Sequence, residues 1–387
     1  MKRTIYICLS LLVIGGITYF SLPYYARQAL IHLMPVVDDL ETFHRDTVRH
    51  NSANVWHWPH DRHYNQYRLT ADDAAYLDSL HTLSFLVIRH DSILFESYRD
   101  GWNDTLTSNL YSATKTIVGL LTGIALDEGK IQSLDDLVSS YIPTYTQGRQ
   151  ADVTLRHLLT MSGGMAWDEA YASLFSVTTH GYYGNDLYEL VTNLDVTEEP
   201  GVQFSYRSGE TQLLAFALEA ATGQTLSKYA EEKLWKPMQA ERDAYWLLDK
   251  EGGDEKAFCC FHTTARDAAR FGRLLLHHGN WNGKQLVSTG YMDELMHPAS
   301  DLRDQWGKDS LSYYGLQTWL FPYRGEQIPC LRGMLGQYIF AIPSRQAIVV
   351  RLGRKRHDVY CGPFTVDMTR YLDIAMKILD ADSPSHL

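Results

Sequence analysis

The sequence predicts an α/β (α+β) chain, an antiparallel sheet flanked by helices with an inserted mainly helical lobe. Two observations carry this. Apolar, β-branched runs stand near both ends of the chain, at residues 83–88 and 93–98 and again at 316–321, 338–342 and 347–352. Helical patterns fill the stretch between them, so the outer runs belong to one discontinuous sheet that helices interrupt. The chain is long enough for this: 387 residues, 45% hydrophobic and 21% charged, suit one large domain or two lobes. The expected division is 76–111 and 264–387 for the α/β sheet lobe and 112–263 for the mainly helical lobe.

At the N-terminus, Met1-Lys2-Arg3 precedes residues 4–20, which carry no charge. A basic start before an apolar core is an export signal. The run approaches the ~20 residues that span a bilayer, and no small-x-small cleavage site precedes Pro23-Tyr24-Tyr25. Residues 1–26 therefore read as a membrane anchor or signal peptide. The anchor is favoured: a periplasmic, extracytoplasmic protein held in the inner membrane by residues 4–25, with Lys2 and Arg3 on the cytoplasmic side. Residues 27–75 read as a polar approach segment containing His44, His50, His57, His60 and His63. Pro59 breaks any helix that would converge these imidazoles, so a surface loop is expected and no metal site.

Export makes disulfides possible. Outside the anchor stand Cys259, Cys260, Cys330 and Cys361. Adjacent cysteines seldom pair, so a bridge from Cys259 or Cys260 to Cys330 or Cys361 is expected, with free buried thiols as the alternative. No CxxC spacing suggests zinc. The net charge of −11 argues against nucleic acid as a partner.

The first hairpin runs over 83–88 and 93–98, with Asp91-Ser92 at its turn. The most apolar helix follows at 116–126 and stops at Gly129. A helix apolar on every side is a buried one, and Gly119 and Gly123, one turn apart, let another element approach its backbone. Ser112 and Lys115 open this helix at i and i+3, on one face. Serine is a poor nucleophile until a base takes its proton, and a desolvated lysine has its pKa lowered enough to serve. A short helix is expected from Ser133-Leu134-Asp135-Asp136. Thr154 caps residues 155–159, where His157 reads as a packing histidine. An aromatic loop runs from Trp167-Asp168-Glu169 through Tyr171 to Tyr182-Tyr183. An amphipathic helix over 210–221 closes at Gly223. Thr264 and Asp267 stand at capping spacing for the next helix, and residues 365–379 form a terminal helix.

Three separated motifs then agree. Ser112-x-x-Lys115, Tyr206-Arg207-Ser208 and Leu331-Arg332-Gly333 resemble, in order and spacing, the motifs of the serine β-lactamase and penicillin-binding-protein superfamily. Flanking stretches at 123–131, 153–164 and 265–272 are similar to the branch holding class C β-lactamases, D-amino-acid peptidases, esterases and nylon-oligomer hydrolases. The resemblance implies a β-lactamase-like fold, with Ser112 as nucleophile, Lys115 as proton acceptor or electrostatic partner, and Tyr206 as relay to the leaving group. It implies an oxyanion hole of the Ser112 and Met334 backbone N–H groups. Ser208, Arg332, Gly333 and Tyr171 complete the candidate site as substrate-binding residues, with no cofactor.

Two departures from the pattern matter. Ser208 stands where class C β-lactamases carry Asn, a change that looks like the nylon-oligomer hydrolase branch. Leu331 stands where the third motif, Lys-Thr-Gly or His-x-Gly, carries Lys or His, which weakens the grip on a β-lactam carboxylate and leaves Arg332 to offer charge. The expectation is a serine hydrolase cleaving amide or ester bonds of a small-molecule or peptide-like substrate. Its alternatives are a non-catalytic binding or sensor protein of the same fold, a true β-lactamase or a D-amino-acid peptidase.

Overall fold

The computed structural model describes residues 2–381; residue 1 and residues 382–387, included in the outer spans assigned above, lie outside the described residues. In chain order the first elements are α1 (Lys2–Ser21), α2 (Tyr24–His32), β1 (Arg45–Val48), α3 (Ala71–Ser79), β2 (Thr82–Arg89), β3 (Ser92–Tyr98), β4 (Ser108–Asn109) and α4 (Thr114–Asp127). The middle of the chain supplies α5 (Leu155–Leu159), α6 (Val177–Tyr183), α7 (Leu187–Thr192), α8 (Ser208–Thr222), α9 (Leu226–Ala230), β5 (Ala244–Leu247) and β6 (Phe261–Thr263). Then come α10 (Ala265–Leu276), β7 (Asn280–Trp281), β8 (Lys284–Gln285), α11 (Thr289–Leu295) and β9 (Trp319–Tyr323). The chain closes with β10 (Glu326–Gly333), β11 (Gln337–Ile342), β12 (Ala347–Gly353), β13 (Tyr360–Cys361), β14 (Phe364–Thr365) and α12 (Asp367–Ala381).

Six strands form one antiparallel sheet in the order β3-β2-β12-β11-β10-β9, so the first hairpin pairs with a strand more than 250 residues later. Its strands read as continuous apolar runs because both faces are covered. Side chains alternate along each strand. Leu86, Ile88, Leu331, Ile339, Ile348 and Val350 join one core with Ala268, Phe271 and Leu275 of α10. Phe85, Val87, Cys330, Tyr338, Phe340 and Val349 join the other with Tyr371, Leu372 and Ile378 of α12.

A second antiparallel sheet, β1-β5-β6-β4, leads directly into the two most buried helices: β6 precedes α10, and β4 precedes the turn that opens α4. Residues 114–125 of α4 are all buried. Tyr291 of α11 packs on Gly123, where a Cβ would lie 2.4 Å from its ring, and donates its hydroxyl to the Gly119 carbonyl at 2.6 Å. Thr154, Thr264 and Gly223 cap α5, α10 and α8 as the residue types predict.

The structure corrects three expectations. Ser133–Asp136 is a turn and not a helix start. The Asp136 carboxylate accepts from the Gln132 and Ser133 N–H groups, a local side-chain-to-backbone pairing that holds the turn. The 27–75 stretch is more than a polar approach segment: residues 56–63 form the expected irregular loop, with His57, Pro59, His60 and Arg62 exposed, but β1 pairs with β5, Trp58 is buried with its indole N–H on the Arg266 carbonyl at 2.9 Å, and Trp56 packs edge-on against Trp281. The disulfide joins Cys259 to its neighbour Cys260, while Cys330 and Cys361 are free. Strand alternation explains this, since Cys330 points into the α12-side core and the Cys259 pair lies in the other.

Candidate active site

Ser112 sits in a single 3₁₀ turn, Tyr111–Ala113, between β4 and α4. Tyr111 holds φ at +46°, a conformation costly for a side chain with a Cβ. The surrounding polar groups secure it. The Tyr111 N–H donates to Asn109 Oδ1 at 2.9 Å, and Asn109 Nδ2 donates to Asp39 Oδ1 at 3.2 Å. His262 Nε2 lies 3.1 Å from the same oxygen, and the Tyr182 hydroxyl donates to the other. Asp39 is buried, and it comes from the stretch assigned as an approach segment. No sequence pattern marks it, because one aspartate in a polar run looks solvated.

Lys115, the second residue of α4, is 1% exposed. Its Nζ donates to Ser112 Oγ at 3.1 Å and to the Phe258 carbonyl at 2.6 Å. Burial lowers its pKa from 10.5 to about 8, against an upward pull from Glu169. An amine in this state loses its proton close to physiological pH and, once neutral, can accept one from the hydroxyl it touches. Lys115 Nζ also lies 5.2 Å from the centre of the Tyr206 ring. Burial, then the Glu169 charge, push the Tyr206 phenol well up; a hydrogen bond with Ser112 and the Arg332 charge pull the other way. Tyr206 is thus held protonated beside the serine.

Glu169 is the residue sequence reasoning passed over, standing inside an aromatic loop without a motif. Its carboxylate accepts from the Ser208 N–H at 2.5 Å, from the Ser208 hydroxyl at 3.2 Å and from the Tyr171 hydroxyl. Its own pKa is raised, chiefly by burial, while Lys115 opposes that rise. Ser208 therefore spends its hydroxyl on the protein. Tyr171 stands at the rim, 45% exposed, with its hydroxyl turned inward.

The third motif closes the site from β10. A Cβ on Gly333 would lie 2.1 Å from the Leu110 carbonyl oxygen, so only glycine lets the strand end meet the serine turn backbone to backbone. Met334 follows at once and lines the site with Ser112. Arg332 does not project freely into solvent: its guanidinium stacks 4.8 Å from the Trp319 ring and donates to the Pro363 carbonyl at 2.9 Å.

Two chambers meet at Ser112. One, of about 400 Å³, is walled by Tyr206, Trp319, Arg332, Arg356 and Tyr360. The other, of about 250 Å³, runs past Ser208, Phe258 and Cys259 to residues of α2 and α6. Ser112, Tyr171 and Met334 line both. The candidate residues from all three motifs are thus brought together, with Lys115 behind the serine.

Residues 72–360 match the family model described as Beta-lactamase. The chain is 27% identical over 324 residues to the 6-aminohexanoate-dimer hydrolase of Paenarthrobacter ureafaciens, covering 77% of this chain and 80% of that protein. In fold it is similar to a Bacillus anthracis protein assigned as a 6-aminohexanoate-dimer hydrolase, with a TM-score of 0.74 and 21% identity over 89% of this chain and 93% of that one. It is also similar to the octameric penicillin-binding protein homologue of Pyrococcus abyssi, with a TM-score of 0.59 and 17% identity over 79% and 77% of the two chains.

Proposed function

The chain belongs to the beta-lactamase family and is a serine hydrolase, and from that premise we propose that it cleaves amide or ester bonds through an acyl-enzyme on Ser112. One observation carries the reading: a buried lysine, its pKa lowered to about 8, stands 3.1 Å from the Ser112 hydroxyl. Lys115 takes the first proton, because of the two candidates it is the one that gives up its own proton closer to physiological pH. Ser112 Oγ then bonds to the substrate carbonyl carbon. Tyr206, kept protonated, gives its proton to the departing amine or alkoxide and recovers one through Ser112 and Lys115. The Ser112 and Met334 backbone N–H groups stabilise the oxyanion, and the Gly333 contact supports that assignment by locking the two segments together. Arg332 offers positive charge on the leaving-group side. Water releases the acyl group by the same steps in reverse roles.

The α1 helix supports a membrane anchor: residues 3–21 are long and apolar enough to cross a bilayer, and none of that span is buried against the protein. The active site then lies outside the cytoplasm. β-Lactams are expected to be poorer substrates than simple esters. Ser208 replaces the Asn of class C enzymes and is already bonded to Glu169, and a misplacement of about 1 Å costs roughly a hundredfold in rate.

The test is intact-mass measurement after a serine-reactive phosphonate, followed by a panel of esters, linear amides, D-amino-acid peptides and cephalosporins. A single adduct, absent from Ser112→Ala, with esters turned over faster than cephalosporins, is the expected result. Undiminished hydrolysis by Ser112→Ala would end the reading.

A further inference from the structure

The smaller chamber at Ser112 is built for hydrocarbon. Four of the polar side chains on its wall are already engaged: Thr179 donates to the Ser173 carbonyl at 2.7 Å, Tyr183 to the Leu33 carbonyl at 3.0 Å, Thr178 to the Asp168 carbonyl and Tyr182 to Asp39, while the buried Tyr111 hydroxyl has no partner among the described residues. An apolar run faces the space along its length, from Phe258 at the serine to Ala29, Leu33, Met34 and Pro35 at the far end.

That far end belongs to the membrane-proximal part of the chain. α2 begins three residues after α1 ends, and its nine residues span about 14 Å at 1.5 Å per residue. It is fastened to the body, with Tyr25 stacked on His180 at 4.2 Å and the Tyr183 hydroxyl on Leu33. Leu30, Ile31, Leu33, Met34 and Val36 nevertheless leave apolar side chains in the open, Leu33 at 71% exposure. An apolar surface of this kind next to a spanning helix sits at the headgroup boundary. Tyr206, the proposed donor to the leaving group, walls the other chamber, so the acyl part of a substrate occupies this one.

We infer that the Ala29–Phe258 chamber takes the hydrocarbon chain of an amphiphile drawn from the bilayer, and that Ser112 receives a long unbranched acyl group. The inference rests on the acyl-enzyme reading above. Ser112 Oγ bonds to the carbonyl carbon, the ester C–O or amide C–N bond breaks, and the serine proton leaves with the headgroup fragment. Water then adds to the acyl-enzyme and frees a fatty acid.

The test uses the full chain in mild detergent and p-nitrophenyl esters from acetyl to dodecanoyl. kcat/KM should climb about fourfold per added methylene until the chamber is filled. Ala29→Trp, which fills the chamber, should flatten that climb. Ala172→Trp, at an exposed part of the wall, is the second variant should the first fail to fold. A fluorogenic decanoyl ester embedded in phosphatidylcholine vesicles should be hydrolysed faster than the same ester dispersed in buffer. A flat chain-length profile in protein that takes the phosphonate and turns over the acetyl ester overturns the inference alone. So does an unaltered climb in both folded variants, and hydrolysis confined to dispersed ester refutes the bilayer source. No adduct and no turnover of any ester refutes the acyl-enzyme reading beneath it.

Discussion

Replacing Lys115 by methionine separates the cost of burying an amine from its use. In the folded protein Lys115 titrates near 8 and in the unfolded chain near 10.5, a difference worth about 3 kcal/mol at 1.36 kcal/mol per pH unit. Its sign follows from proton counting. Below pH 8 both states carry the proton and folding bears the full cost of the buried charge. Between pH 8 and 10.5 only the unfolded chain holds it, so wild-type stability rises with pH across that window. Lys115→Met lacks this titration, so its stability relative to wild type should fall by about 3 kcal/mol between pH 7 and 10.5. A nearly constant loss lies on top, because the Phe258 carbonyl is left without its donor, at about 1–3 kcal/mol. At pH 7 the two terms roughly cancel, and at pH 10 the variant is clearly the weaker. Urea unfolding of both proteins in detergent across this range measures the gap. Wild-type kcat/KM on an ester should fall about tenfold per pH unit below a midpoint near 8. A stability gap independent of pH, together with an ester profile flat from pH 6 to 9, would refute the lowered lysine pKa and with it the assignment of Lys115 as base.

Tyr206→Phe should fold normally and lose about 10²- to 10⁴-fold in kcat; near wild-type turnover would remove Tyr206 from the mechanism and point to Tyr171. Gly333→Ala should lose at least about a hundredfold in kcat/KM, because the new Cβ, 2.1 Å from the Leu110 oxygen, parts β10 from the serine turn. Unchanged phosphonate labelling of that variant would show that the contact does not shape the site. Full-length protein should sediment with membranes and be released by detergent but not by salt, and recovery from the soluble cytoplasmic fraction would contradict the anchor.

What the sequence determined by itself is what local chemistry decides. Continuous apolar runs marked β2, β3, β11 and β12, because a strand covered on both faces takes apolar side chains at nearly every position. Thr154, Thr264 and Gly223 announced helix ends, since a cap is satisfied within a few residues of itself. Ser112 and Lys115 were legible as a pair, because a spacing of three on a helix is already a contact. The tertiary structure decided whatever depends on partners distant in the chain. Glu169 reaches Ser208, 39 residues on, only after the aromatic loop folds over α8, and Asp39 braces the serine turn across 70 residues through Asn109. The Cys259–Cys260 bridge became visible once strand alternation put Cys330 in the opposite core. The protonation states of Lys115 and Tyr206 belong to the same class: a lone lysine or tyrosine titrates as in water, and only burial among particular neighbours, Glu169 chief among the charged ones, moves them.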